Sequence, residues 1–173
     1  MENQNHAFNY AYLLKQVKAR VLLAQKKAIY TANEEMLSMY WDIGKLLSES
    51  QKQIGWGNNA LEKLANDLKN DYPEMKGFSV RNCQFMIQFY NEYNQQLTNT
   101  KRAVSYLNNN EIVLPISKLG WSHNITLMQR TKDIKARYWY MIQCLKNGWS
   151  RDFLIEAIKQ DYYHSHGALA SNF

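Results

Sequence analysis

The sequence predicts a mainly all-α fold: a helix-turn-helix, winged-helix-like core behind a long N-terminal helix, with one stretch left for a short β-hairpin. Three observations lead there. Only two prolines and seven glycines interrupt 173 residues, against ordinary usage near ~5% and ~7%. Apolar residues recur at helical spacing, and cap-forming residues precede several of those runs. Hydrophobic residues make up 46% of the chain, enough to bury the core of one domain, with or without an extended arm.

The first unit, residues 1–54, is a long helix or a helical hairpin. Positions 14, 17, 21, 24, 28, 32, 36, 39, 43 and 46 are all apolar or Ala, an average step of about 3.6 that draws one stripe along a helix. No Pro or Gly intervenes before Gly44. One helix of ~35 to 40 residues would exceed ~50 Å at 1.5 Å per residue; a break near Thr31 to Asn33 would fold it into a hairpin instead. The single helix outgrows a domain of this size and calls for a partner, such as the same stripe on a second copy.

Residues 55–173 form the second unit, the helix-turn-helix domain. Gly55, Trp56 and Gly57 close the first region, and Asn58 can cap a helix with Leu61, Leu64, Ala65 and Leu68 at i, i+3, i+4 and i+7. It stops before Pro73. After the turn at 73–78, Ser79 can cap a third helix running to about Tyr93. On a helical wheel Val80, Cys83, Phe85, Met86, Ile87, Phe89, Tyr90 and Tyr93 share a broad apolar arc. The narrow opposite arc holds Arg81, Gln84, Gln88, Asn91 and Glu92. Arg and Gln carry the forked donors and acceptors that read guanine and adenine edges, and a second helix presenting them from its first turns suits a helix-turn-helix reader. An ordinary solvated face is the plainer account of the same pattern.

Two β-prone runs, 103–107 and 111–116, surround Asn108, Asn109 and Asn110 and suggest a hairpin, a wing that would set Lys101 and Arg102 beside a duplex backbone; a surface loop is the alternative. Ser122 can cap a helix containing Ile125 and Met128. A further helix carries Ile134, Tyr138, Met141 and Leu145 and ends at Gly148, and Ser150 caps a last one through Leu154, Ala157 and Ile158.

Net charge is +6, and most of the excess is C-terminal: residues 94–173 carry 10 Lys and Arg against 5 Asp and Glu. There Lys101, Arg102, Lys118, Arg130, Lys132, Lys135 and Arg137 face only Glu111 and Asp133, a patch attractive to phosphates. The nucleic-acid candidates are therefore Arg81, Gln84, Gln88, Lys101, Arg102, Arg130, Lys132 and Lys135. No catalytic residue, metal ligand or cofactor is assigned. Glu74-Met75-Lys76 spells the E-x-K of metal-dependent nucleases, but it sits in a turn with Asp71 three residues upstream, whereas that chemistry places two carboxylates on adjacent strands. His164 and His166 lack companion ligands, and His123 lacks a neighbouring nucleophile. Cys83 and Cys144 read as reduced core residues. The five Trp residues, 41, 56, 121, 139 and 149, read as packing groups. Residues 1–10 lack the basic start and apolar stretch of a secretory signal, and no run of ~18 apolar residues exists to span a bilayer, so a soluble chain in the cytoplasm, without a membrane partner, is expected.

The aromatic motifs are more specific than any of these features alone. They comprise Tyr40-Trp41-Asp42-Ile43-Gly44, Gly55-Trp56-Gly57, Leu64 with Asp67-Leu68, Pro73, and Gly77-Phe78-Ser79 followed by Arg81-Asn82. Further on stand Met86 with Phe89-Tyr90, Gly120-Trp121-Ser122-His123, Arg137 with Trp139-Tyr140, and Gly148-Trp149-Ser150. Together, over about residues 15–165, they resemble the N-terminal domain of the YhcG-type nuclease family; Gly120 departs from the Pro or Ser expected before that Trp. The resemblance implies a winged-helix-like module preceding a separate PD-(D/E)XK nuclease domain that carries the metal chemistry. Residues 170–173 fall about where the link to that domain would begin, so the catalytic half is expected outside this chain. The expected function is a non-catalytic DNA-binding module that positions the nuclease. The alternative is an assembly module that dimerises through the first helix or docks another protein.

Overall fold

The computed structural model describes residues 10–54, 58–103 and 115–167. Forty-five residues, Tyr10–Ile54, form one helix, α1, so the first region is a rod rather than a hairpin. At the alternative break point, Thr31 donates its hydroxyl to the Lys27 carbonyl at 2.9 Å within the helix. Asn33 reaches out of it, donating to the Ser117 and Leu119 carbonyls at 3.1 and 3.0 Å. These bonds mark where α1 meets the rest of the molecule.

The buried face of α1 differs from the predicted stripe. Leu37, Tyr40, Gly44, Leu47 and Ser48 are buried, about a third of a turn around the helix, while Met36, Met39 and Ile43 are half-buried and Leu46 is 64% exposed. Gly44 is the reason. A Cβ there would collide with the Met86 carbonyl, so the missing side chain brings the backbones of α1 and α3 together at this point.

The helix α2 (Asn58–Asp71) and the helix α3 (Val80–Ala103) follow the predicted helix, turn, helix order. Ser79 caps α3 by accepting from the Asn82 amide at 3.1 Å. Yet α3 runs ten residues beyond Tyr93, because the polar stretch after it contains neither Pro nor Gly to stop a helix. Lys101 and Arg102 thus sit on the last turn of a helix, and the first β-prone run begins on helical Ala103. Residues 104–114, which hold most of the predicted hairpin, lie outside the described residues. Among those described there is no strand.

A short 3-10 turn (Ile116–Lys118) leads into α4 (Trp121–Arg130), α5 (Ile134–Asn147), α6 (Arg151–Lys159) and a π-helical turn (Tyr163–Gly167). Gly120, not Ser122, is the N-cap of α4, and the cap is made without a side-chain bond. The fully buried side chain of Asn124 ties the entry to α4 in another way, donating to the Ile116 and Gly120 carbonyls at 3.0 and 3.2 Å. Asp133 caps α5, Gly148 ends it in the left-handed region, and Ser150 caps α6 through the Phe153 amide.

Helix α3 is the spine. It places Cys83 with Leu47 and Leu61, Met86 with Tyr40 and Phe78, and Phe89 and Tyr93 with Leu127, Met128, Tyr140, Met141, Cys144 and Leu154. Trp41, Trp121, Trp139 and Trp149 are half-buried at the edges of these clusters; Trp121 donates to Asn82 Oδ1 at 2.7 Å, and Trp41 meets Phe89 and Tyr90 edge-on. Both cysteines are free and buried. Burial raises the Cys83 thiol and pushes Cys144 up to about 11. Because the thiolate is the nucleophile, a thiol reagent applied to the native chain at pH 8 is expected to label neither, and both once denatured; rapid native labelling of Cys144 would contradict the packing.

Candidate nucleic-acid interface

The structure divides the polar arc of α3 into two parts. Arg81 and Gln84, on its first turns, are both exposed; the Arg81 guanidinium lies over the Phe85 ring, 5.6 Å from its centroid, an arrangement that limits its swing. Farther along, the arc serves the fold. Gln88 donates to Glu92 Oε1 at 2.6 Å, and Asn91 Oδ1 accepts from the Ser48 hydroxyl at 2.6 Å. The other Glu92 oxygen accepts from Arg137 Nη1 at 2.7 Å. Gln88 is thus half-buried beside a carboxylate, a poor place to meet a phosphate.

Arg137 also leaves the predicted cationic patch. It is 4% exposed, its Nε and Nη2 both donate to the Thr131 carbonyl, and its guanidinium stands 5.4 Å from the Tyr93 ring centroid. Around Tyr93 the dry surroundings outweigh the neighbouring cation and push the phenol up to about 12. Sequence spacing showed Arg137 at a helix start, but not that its side chain turns inward.

The remaining basic candidates fall into two places. Arg130 on the last turn of α4, Lys132 between helices and Lys135 on the first turn of α5 are exposed together around one corner, with Asp133 committed to the Lys135 and Ala136 amides at 3.2 and 3.3 Å. This corner joins the side of α3 through the run Gln88, Glu92, Arg137, Thr131. Lys101 and Arg102 belong to the end of α3 instead.

A further set of cations is hidden in the near-neutral charge balance of residues 1–93. Lys15, Lys18, Arg20, Lys26 and Lys27 all lie on the exposed first half of α1, and no acidic residue stands between Tyr10 and Asn33. Charge totalled over residues 1–93 hides them, because the acids of α2 and of the second half of α1 cancel them; a count over each helix segment would have found them.

The other chemical candidates stay apart. Asp71 and Glu74 are exposed at the turn, His123 Nε2 lies 2.8 Å from the Trp149 carbonyl, and His164 Nδ1 lies 2.7 Å from Asp161 Oδ1. Among the described residues, no three His, Cys, Asp or Glu side chains gather to hold a metal ion, and no helix is long and apolar enough to cross a membrane.

A model of the DUF1016 N-terminal domain family matches residues 16–165. No curated protein and no solved structure matches the chain.

Proposed function

The chain belongs to the DUF1016 N-terminal domain family, and from that premise we propose that it binds nucleic acid, DNA in the first place, and holds it for a PD-(D/E)XK nuclease domain that does the cutting. The observation that carries this reading is the segregation of exposed charge: five cations and no acid along the first half of α1, and Arg130, Lys132 and Lys135 around one corner beside the α3 side that opens with Arg81 and Gln84. A rod of positive charge follows a phosphate backbone without reading sequence. Arg81 and Gln84 are the pair free to meet base edges. In this division of labour the cations of α1 and of the α4–α5 corner supply affinity, and the start of α3 supplies register.

Binding to a labelled duplex at 50 mM salt, followed by anisotropy, tests it. Affinity is expected to fall steeply by 200 mM, since each neutralised phosphate contributes about −0.9 to the log–log salt slope. A chain with Arg130, Lys132 and Lys135 all changed to Ala is expected to flatten that slope by about 3, roughly one for each lost contact, with no change in helical content. No affinity for duplex or single strand at low salt would end the proposal.

A further inference from the structure

The first half of α1 is a helix with no cover among the described residues. Every residue from Tyr10 to Ala32 is exposed, over about 35 Å at 1.5 Å per residue, and Val17, Val21 and Ile29 are 50%, 50% and 69% accessible. Isolated amphipathic faces of that size are normally covered.

Its apolar residues have the spacing of a paired helix. Tyr10, Leu14, Val17, Val21, Ala24 and Ala28 follow one another by steps of four and three, the alternation of a coiled-coil seam. On the packed half of α1 the same side continues as Met39, Ile43 and Leu46. Those residues line an open apolar groove of about 550 Å³ with Leu64, Leu68 and Phe78. Tyr10, Ala28 and Leu46 are five full turns apart and therefore share one angular position. The seam thus runs the whole helix, with its midpoint at Ala28.

Charge selects the occupant and its direction. The first half of α1 carries five cations and no acid, whereas from Glu34 to Ser50 the acids Glu34, Glu35, Asp42 and Glu49 meet one cation, Lys45. A parallel pair would set cations against cations along its first half. An antiparallel pair sets each basic half on an acidic half.

We propose that α1 pairs with the α1 of a second copy of this chain, antiparallel and crossing near Ala28. In that register the partner's Arg20 comes opposite Glu35, and the partner's Tyr10 reaches Leu46 at the mouth of the groove. Lys15 and Lys26 face away from the seam and stay accessible to a polyanion, so pairing and nucleic-acid binding are separate properties with separate tests.

Light scattering on the purified chain is expected to give the mass of two copies. Ala28→Glu changes an exposed residue and is expected to give the mass of one copy, with unaltered circular dichroism and melting of the monomer fold. Arg20→Glu alone and Glu35→Arg alone are each expected to weaken association severalfold, and the two together in one chain to restore it. Single-cysteine variants fix the direction: an equimolar mixture of Tyr10→Cys and Leu46→Cys chains is expected to form mixed disulfides between copies, and Tyr10→Cys alone none with itself. A monomeric parent chain, a dimer indifferent to Ala28→Glu, or efficient disulfide formation between two Tyr10→Cys chains would each overturn the proposal.

Discussion

Replacing Gly44 with alanine is expected to destabilise the fold by about 2 kcal/mol and to lower its thermal midpoint by roughly 4–8 °C. Two terms oppose each other. Alanine in a helix interior gains about 1 kcal/mol of propensity over glycine, and on an open face that would decide the sign. At Gly44 the added Cβ meets the carbonyl oxygen and carbon of Met86 and then Tyr90 Cβ. Two of these atoms belong to a helix backbone, which cannot swing aside, so relief requires α1 and α3 to separate around Leu47, Cys83 and Met86. Overpacking of this kind costs about 1–3 kcal/mol, occasionally more, and the upper part of that range applies here. Gly44→Val should cost more still. Melting curves followed by circular dichroism decide the matter, and an alanine variant as stable as the parent would show that α1 and α3 do not touch at this point.

Changing Arg137 to methionine is expected to cost about 2–3 kcal/mol. Methionine keeps much of the aliphatic volume, so the loss is chiefly polar. The guanidinium donates twice to the Thr131 carbonyl, bridges to Glu92 and covers the Tyr93 ring. Removing one member of a buried pair typically costs about 3–5 kcal/mol because its partner is stranded. Here Glu92 keeps 32% side-chain exposure and can rehydrate, which discounts that figure; the Thr131 carbonyl, on a buried residue, has less recourse. Glu92→Gln retains an acceptor and is expected to lose about 1 kcal/mol. Chemical denaturation of the two single variants and the double gives the coupling. A near-zero coupling would mean that the two side chains do not interact in solution.

Much of the architecture was legible in the sequence because it is written locally. The end of α2, the start of α3, the end of α5 and the start of α6 follow from residues acting on their own backbone: Ser79 and Ser150 accept from amides three residues on, Pro73 stops α2, and Gly148 takes the left-handed conformation that ends α5. The burial of Cys83, Met86, Phe89 and Tyr93 followed from period alone. Where local signals are weak, the structure departs from the expectation. Nothing in the stretch after Tyr93 forbids a helix, so α3 continues past the expected stop, and Ser122, the expected cap of α4, lies inside that helix because Gly120 takes the cap position.

The candidate interface was legible to a smaller extent, for one reason. A sequence shows which side chains carry charge or forked amides, but not which of them a neighbouring side chain has already engaged. Arg81, Gln84, Arg130, Lys132 and Lys135 reach the surface as expected; Gln88 is occupied by Glu92, and Arg137 is buried. The burial of Arg137 depends on α5 docking against α3, a contact between residues 45 apart in the chain, whereas the Gln88–Glu92 bond lies within α3 at i, i+4.

By itself, the sequence determined the all-helical class, the order of the helices, the caps that bound several of them, and the family through its Trp- and Gly-centred motifs. Those properties are set by backbone preference and by spacing within a few turns. Tertiary structure alone decided that the first region is a single helix, which of its faces is buried, and that its first half stands exposed. Helical period fixes the angle between two apolar residues but not which of two neighbouring stripes meets a partner; the close approach permitted by Gly44 made that choice, and it left the other stripe to the surface.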